Sequence, residues 1–475
     1  MEKKYLKGSL LVKIVCIYLL IFAVFYGVAY HQINYAKYEQ IGLSGDGTVG
    51  GITDENAVRQ QFQYAGDYIR TICIKIGTYA RNNTGVLKIF LKDHSNNDVI
   101  WESAYDVSSF QDNAVFKIEV EKNLPEDTDL FDLEIMSEGC DENNSVTVYS
   151  SSSTDIHRGM LTVGNKNIPA ELEMSIYGDQ ANLWGRYYWF YVLAGAVCIA
   201  VFYAFQMKKE RKGKKCVLHY MCHTIDTYGF MIKQLVSRDF KTKYKRSVLG
   251  ACWSFLNPLL TMAVQYVVFS TIFRSNIENY PVYLLSASIL FNFFTESVGG
   301  GLVSIVGNAS LIKKVYVPKY IYPVTKVLST LINLVISMLP LLVVVIITGE
   351  HVNRAYLLIP FVIVCLFFFC VGMSLILSSL MVFFRDVQFL WGIVSLLWMY
   401  ATPMFYPESI IPERFRFILS GNPMYHYISF FRNILLDYSS PQISEYVYCM
   451  AFSAIFCVIG AWIFNRSQKN FVLYL

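Results

Sequence analysis

The stretch RDFKTKYKRSVLGACWSFLNP, Arg238 to Pro258, sets a run of cations directly before a long apolar segment, and the reading of the remaining chain turns on it. Arg238, Lys241, Lys243, Lys245 and Arg246 supply the charge, while Phe240, Tyr244 and Val248 recur at steps of four. On a helix that spacing gathers the apolar side chains into one stripe beside the cations. Such a helix lies in a membrane interface, its rings and aliphatic stems at the headgroup boundary and its cations against lipid phosphates, on the cytoplasmic side. A plain stop-transfer cluster ahead of a span carries the same charge, and charge alone does not separate the two readings.

Composition fixes the broad class. Of 475 residues 54% are hydrophobic and only 16% charged, too apolar a balance for an ordinary soluble protein. The net charge of +4 conceals an asymmetry: Tyr35 to Asp179 holds 11 Lys/Arg against 24 Asp/Glu, whereas Lys208 to Gly250 holds 12 against 3. Blocks of such opposite sign face opposite sides of a membrane. Of the 11 cysteines only Cys73 and Cys140 fall in the acidic block, where a disulfide and two reduced thiols are equally open readings.

Leu10 to Ala29 is an apolar run close to the ~20 residues that cross a ~30 Å core, preceded by lysines and followed by no small-residue cleavage site. It reads as a retained span. From about Asp46 to Asp179 the period changes to two: Ile72, Ile74, Ile76, then Leu87, Ile89, Leu91, then Phe116, Ile118, Val120, then Phe131, Leu133, Ile135, and finally Leu172, Met174, Ile176 alternate with polar residues. Half-buried antiparallel strands of a β-sandwich, roughly eight of them, are expected. GDGTVG, with Gly45, Gly47 and Gly50, follows no strand and opens no helix, so it reads as a flexible linker rather than a nucleotide loop.

Tyr187 to Phe205 is a second span, ending at the emphatic inside signal KKERKGKK. The CVLHYMCH that follows places Cys216, His219, Cys222 and His223 at helical spacing, but it matches no common zinc module and no metal is assigned. Beyond the basic helix the apolar runs 252–273, 282–306, 322–347, 355–384, 387–400 and 446–464 are expected to cross, with Lys313, Lys314 and Lys319 marking the inside. The triplet Gly299, Gly300, Gly301 allows a close helix approach. The expected domains are thus a cytoplasmic start and first span at 1–30, an extracytoplasmic β-sandwich at 31–184, and a second span at 185–207. A basic linker and amphipathic helix follow at 208–250, a six-span core at 251–464 and a cytoplasmic tail at 465–475. No phosphate loop, zincin motif or nucleophile elbow occurs in the sequence.

RDFKTKYKRSVLGACWSFLNPLL resembles the segment that opens the membrane core of ABC transporter permeases exporting polysaccharides of the O-antigen and teichoic acid type. There a basic gate helix precedes a span that starts with a small residue, a Trp and an Asn-Pro pair, matched here by Gly250, Trp253, Asn257 and Pro258. NASLIKKVYVP, within 308–320, is similar to that family's coupling helix, and 403–437 to its outer re-entrant helices, with MFYP and NPMYHYISFFR as landmarks. The segment GDYIRTICIKIGTYARNNTGVLKIFLKD more loosely resembles jelly-roll, galactose-binding-like domains, for which sugar binding and a spacer role both stand.

The resemblance implies a six-span α-helical permease core, with the two N-terminal spans and sandwich as an addition. It implies two copies forming a channel for a polyprenol-linked glycan in the bacterial cytoplasmic membrane, both termini inside. ATP and Mg would be bound by a separate ABC ATPase, and this chain would hold no cofactor and bind no nucleic acid. Arg238, Lys241, Lys243, Tyr244 and Arg246 would meet the phosphate headgroup and surrounding lipids. Trp253, Phe255, Tyr266, Trp391, Trp398, Tyr400 and Phe405 would offer rings to the glycan, and Leu311, Ile312, Lys313, Lys314, Val315, Tyr316 and Pro318 would dock the ATPase. An exporter of a drug, peptide or lipid, and a receptor presenting the sandwich to a ligand, remain alternatives at this point.

Overall fold

The computed structural model describes residues 8–42, 45, 47–125, 128–152, 159–164, 166–212, 217–244, 249–273, 279–314, 317–349, 353–408, 411–412, 414, 416–436 and 440–475. Two compact units divide the chain: Ile33–Trp189, and a second formed by Met1–Gln32 with Phe190–Leu475.

The first unit is all-β. Its strands are β1 (Tyr35–Gln40), β2 (Gly47–Thr48), β3 (Val58–Gln63), β4 (Tyr68–Gly77), β5 (Val86–Asp93), β6 (Val99–Asp106) and β7 (Ala114–Asn123). They continue with β8 (Leu130–Glu138), β9 (Thr147–Ser151), β10 (Leu161–Val163), β11 (Lys166–Ile168), β12 (Glu171–Leu172) and β13 (Met174–Ala181). One sheet runs β1-β13-β4-β9-β12, with β2 on β9 and β7 on β4; the other runs β11-β10-β3-β8-β5-β6. Every pairing is antiparallel. The alternation seen in the sequence sends Ile72, Ile74 and Ile76 of one sheet and Leu133, Ile135 and Ile89 of the other into a single core.

Two expectations are corrected here. Thirteen strands stand among the described residues where roughly eight were expected, several of them only two or three residues long, and GDGTVG is not simply a linker, since Gly47 and Thr48 pair with Ser150 and Tyr149. Their register is set by backbone hydrogen bonds on a two-residue strand, too short to show a period. Cys73 and Cys140 are free thiols, both pushed up by burial.

The second unit is helical. It holds α1 (Gly8–Val28), and, after the short α2 (Tyr30–Asn34) and α3 (Leu183–Arg186) at the ends of the β unit, α4 (Tyr188–Arg211) and α5 (Val217–Tyr244). Then come α6 (Trp253–Phe273), α7 (Tyr280–Gly307), α8 (Ala309–Lys314), α9 (Ile321–Ile347), α10 (Ile359–Phe383) and α11 (Val387–Ala401). The chain closes with α12 (Arg416–Ser420), α13 (Pro423–Leu435), α14 (Ile443–Ser467) and α15 (Phe471–Tyr474). Among the described residues six helices, α1, α4, α7, α9, α14 and α10 with the turn before it, are long and apolar enough to cross a membrane. The other two expected spans coincide with α6, which carries Pro258 inside it, and α11, whose 15 residues fall short of the ~20 that a full crossing takes.

Close helix packing rests on small residues. A β-carbon on Gly460 of α14 would lie 2.3 Å from the Gly372 carbonyl oxygen of α10, so these helices meet backbone to backbone. In the Gly299 triplet, Gly301 makes the closest approach, to Ser374 of α10, and Gly300 receives the aliphatic stem of Lys326 from α9.

Candidate functional site

The opening stretch folds as the last turns of α5, a left-handed Gly250 at φ 50°, one 3-10 turn (Gly250–Cys252) and then α6. A side chain at that φ is strained, which accounts for the glycine between the basic helix and the span. Residues 245–248, and with them Arg246, lie outside the described residues, as does the Tyr244 side chain.

Where α5 ends, a cavity of about 550 Å³ opens among α5, α6, α7 and α9. Ten of the fifteen residues lining it are polar, which is unusual for a space between apolar helices and makes it the candidate site. Each helix contributes a stripe at helical spacing: Ser254, Asn257 and Thr261 from α6, Asn292, Thr295 and Glu296 from α7, Thr330, Asn333 and Ser337 from α9. Lys243 enters from α5 and Trp253 from the start of α6. The polar stripe continues past the cavity, where Ser288 donates to Gln265 at 3.0 Å.

Two ion pairs tie α5 to this wall. Lys243 Nζ lies 2.6 Å from Glu296 Oε1, which also accepts from Asn333 Nδ2 at 3.3 Å. One turn earlier Asp239 accepts from its neighbour Arg238 at 3.0 Å and from Lys326 Nζ of α9 at 3.2 Å. Side chains of Lys243 and Glu296 are 41% and 43% exposed, so water screens the pair. The cavity can therefore hold an anion and hydroxyl-rich groups through one exchangeable cation, Lys243, with amides and hydroxyls and one indole at its rim.

Of the residues expected from sequence, Lys243 and Trp253 line the cavity, Arg238 pairs with Asp239 on α5, and Lys241 is exposed on α5. The other expected rings lie away from the cavity lining. Trp391 and Trp398 pack on Phe294, and Trp398 donates to Asn422 Oδ1 at 2.7 Å. Phe405 stacks on Phe269 and neighbours Tyr400, Tyr266 packs on Tyr280, and Phe255 is half-buried on α6. On α8, Leu311 and Ile312 turn partly into the helical core while Lys313 and Lys314 are exposed, and Pro318 is half-buried. Val315 and Tyr316 lie outside the described residues, as do Cys216 and the side chains of His219 and Cys222.

Sequence reasoning missed Asp239, Glu296, Lys326 and the amides of Asn292 and Asn333. It also missed Arg432, the second polar centre of the unit. Only 6% exposed, Arg432 donates to the carbonyls of Pro403 at 2.7 Å, Met404 at 3.0 Å and Tyr283 at 3.2 Å, and its guanidinium lies 3.3 Å from the Tyr283 ring centre. Tyr280 and Tyr283 donate to the carbonyls of Phe405 and Tyr406. The irregular backbone of 403–406 is thereby satisfied by side chains, as any non-helical segment shielded from water requires.

A family model for ABC-2 type transporters matches residues 231–436, a span that contains the whole cavity and Arg432. The chain is 30% identical over 248 residues to the O-antigen export system permease protein RfbA of Klebsiella pneumoniae, covering 51% of this chain and 95% of that protein. Against the RfbA of Myxococcus xanthus it is 30% identical over 246 residues, with the same coverage. The capsule polysaccharide export inner-membrane protein CtrC of Neisseria meningitidis is 21% identical over 250 residues, 50% of this chain and 92% of its own. A relative covered almost end to end at that identity, together with the family model over residues 231–436, makes this chain a membrane permease of the ABC-2 type transporter family.

Proposed function

We propose that the chain is the transmembrane subunit through which a lipid-linked polysaccharide leaves the cytoplasm. Two copies form the channel, and a separate ABC ATPase binds ATP and Mg and drives it. The observation that carries this reading is the polar cavity at the end of the basic helix, with Lys243 for a phosphate and amides and an indole for the first sugars. Membership of the family and relatives named for O-antigen and capsule export favour a glycan over a drug, a peptide or a receptor ligand. α11 supports the second copy: among the described residues it buries none, and Phe389, Ile393 and Leu397 are all exposed. The exposed Lys313 and Lys314 of α8 are the ATPase's charged contact.

The membrane is the bacterial cytoplasmic one, both termini lie inside, and the acidic β unit lies outside, since the Lys/Arg excess follows the expected inner loops. Cysteines placed at the exposed Ser95 and Lys212 should label from opposite sides; labelling of both from one side overturns the topology. The activity is tested by reconstituting the chain with its ATPase and following ATP-driven movement of a polyprenyl diphosphate-linked polysaccharide into proteoliposomes. Transport is expected only with both subunits present, and transport of a small amphipathic drug but not the glycan overturns the reading.

A further inference from the structure

The cation that lines the cavity, Lys243, and those paired one turn earlier on α5 are already held by carboxylates of this same chain. Glu296 holds Lys243, and Asp239 holds both Arg238 and Lys326. Simple capture of an anion does not call for these carboxylates, because each weakens the nearby cations for any incoming phosphate. Glu296 is an ionisable side chain in the middle of α7, a helix long and apolar enough to cross a membrane, where such groups are rare. Lys326 reaches its acid by lying across Gly300, where a β-carbon would sit 2.9 Å from its Cγ, so the space for this arrangement is built into α7.

We propose that Glu296 and Asp239 are resident counter-ions which a diphosphate-linked lipid displaces, and that this competition selects a diphosphate over the singly charged phospholipids around it. The inference rests on the headgroup reading above and names what makes that site selective. A lipid phosphodiester can replace one carboxylate at one cation, but it exchanges one single charge for another. It must also do so against a partner tethered at high effective concentration, so it gains little. A diphosphate carries about two charges and several acceptor oxygens, so at either pair it offers the cation more than the single carboxylate it displaces. Because the Lys243–Glu296 pair is half exposed, it is held weakly enough to open. Asn333, which now donates to Glu296, remains in place to donate to a phosphate oxygen.

The test uses the purified full chain in phosphatidylcholine nanodiscs, with geranylgeranyl diphosphate as probe and phosphatidylglycerol as competitor. Lys243→Gln reports on the headgroup reading and should weaken diphosphate binding about tenfold. Glu296→Gln should bind the probe about fivefold tighter and should let phosphatidylglycerol, which competes poorly with wild type, compete effectively. Asp239→Asn should move affinity and competition in the same directions, so the inference stays testable if one variant does not fold. A change of selectivity is not something a merely structural carboxylate would produce. If Lys243→Gln leaves binding unchanged, the headgroup site itself is overturned, and this inference with it. If Lys243→Gln weakens binding while the two carboxylate variants leave affinity and selectivity unchanged or lower affinity, the inference alone is overturned.

Discussion

Two polar centres in the helical unit use cations in opposite ways. At the cavity Lys243 is half exposed and faces a carboxylate on another helix; at the 403–406 segment Arg432 is buried and faces backbone carbonyls. An ammonium against a carboxylate, reached by water, can trade its partner for a phosphate at little cost. A guanidinium whose partners are two carbonyls of irregular backbone, at Pro403 and Met404, and the Tyr283 carbonyl of α7 cannot leave without stripping their charged donor. The first arrangement suits exchange with a ligand and the second fixes a chain segment.

The comparison breaks first on stability. Arg432→Gln should destabilise the purified chain by at least about 3 kcal/mol, because buried carbonyls of Pro403, Met404 and Tyr283 lose a charged donor. A thermal unfolding curve indistinguishable from wild type would contradict the structural role. Trp398→Phe, which removes one of the two donors to Asn422 Oδ1 and leaves the Met424 N–H, should cost about 1 kcal/mol by the same assay. Trp253, exposed at the cavity rim, should tolerate Phe without measurable loss of stability. Lys243→Gln should change stability by less than about 1 kcal/mol, the range for an exposed pair, and a larger loss would make it a structural cation like Arg432.

How much of this was legible depended on whether the signal was periodic. Strands declared themselves where Ile72, Ile74 and Ile76 alternate, and β2 did not, because two residues cannot show a period. The cavity was half legible. Ser254, Asn257 and Thr261, like Thr330, Asn333 and Ser337, recur at steps of three and four within apolar helices, a polar stripe open to reading from the sequence. Which stripes face each other is set by tertiary packing, so the pairing of Lys243 with Glu296, 53 residues away, was not open to it. Arg432 was hidden for another reason: its partners are backbone carbonyls, which every residue possesses and no composition reveals.

The β unit offers the smallest test, with charges reversed. Asp54 accepts from the backbone N–H groups of Cys140 and Gly139, each at 3.0 Å, and these bonds hold its carboxyl below the usual range. A depressed folded pKa contributes stability that is fully present above the unfolded value of about 3.9 and is lost as pH falls through the lower folded value. The excised 33–189 unit should therefore fold alone and lose part of its stability to acid in that window, and Asp54→Asn should flatten the acid limb. An acid limb unchanged by the substitution would remove Asp54 from the account.

The central claim, that the cations at the end of α5 serve the substrate rather than the fold, is tested most directly by Arg238→Gln with Lys243→Gln in the complex with the ATPase. Glycan-stimulated ATP turnover is the quantity to measure, beside the thermal stability of the same preparation. The account predicts near-complete loss of stimulation with ATPase pairing intact and a melting temperature within a few degrees of wild type. Full stimulation in the double variant would contradict it and leave this helix as an anchor to membrane lipid.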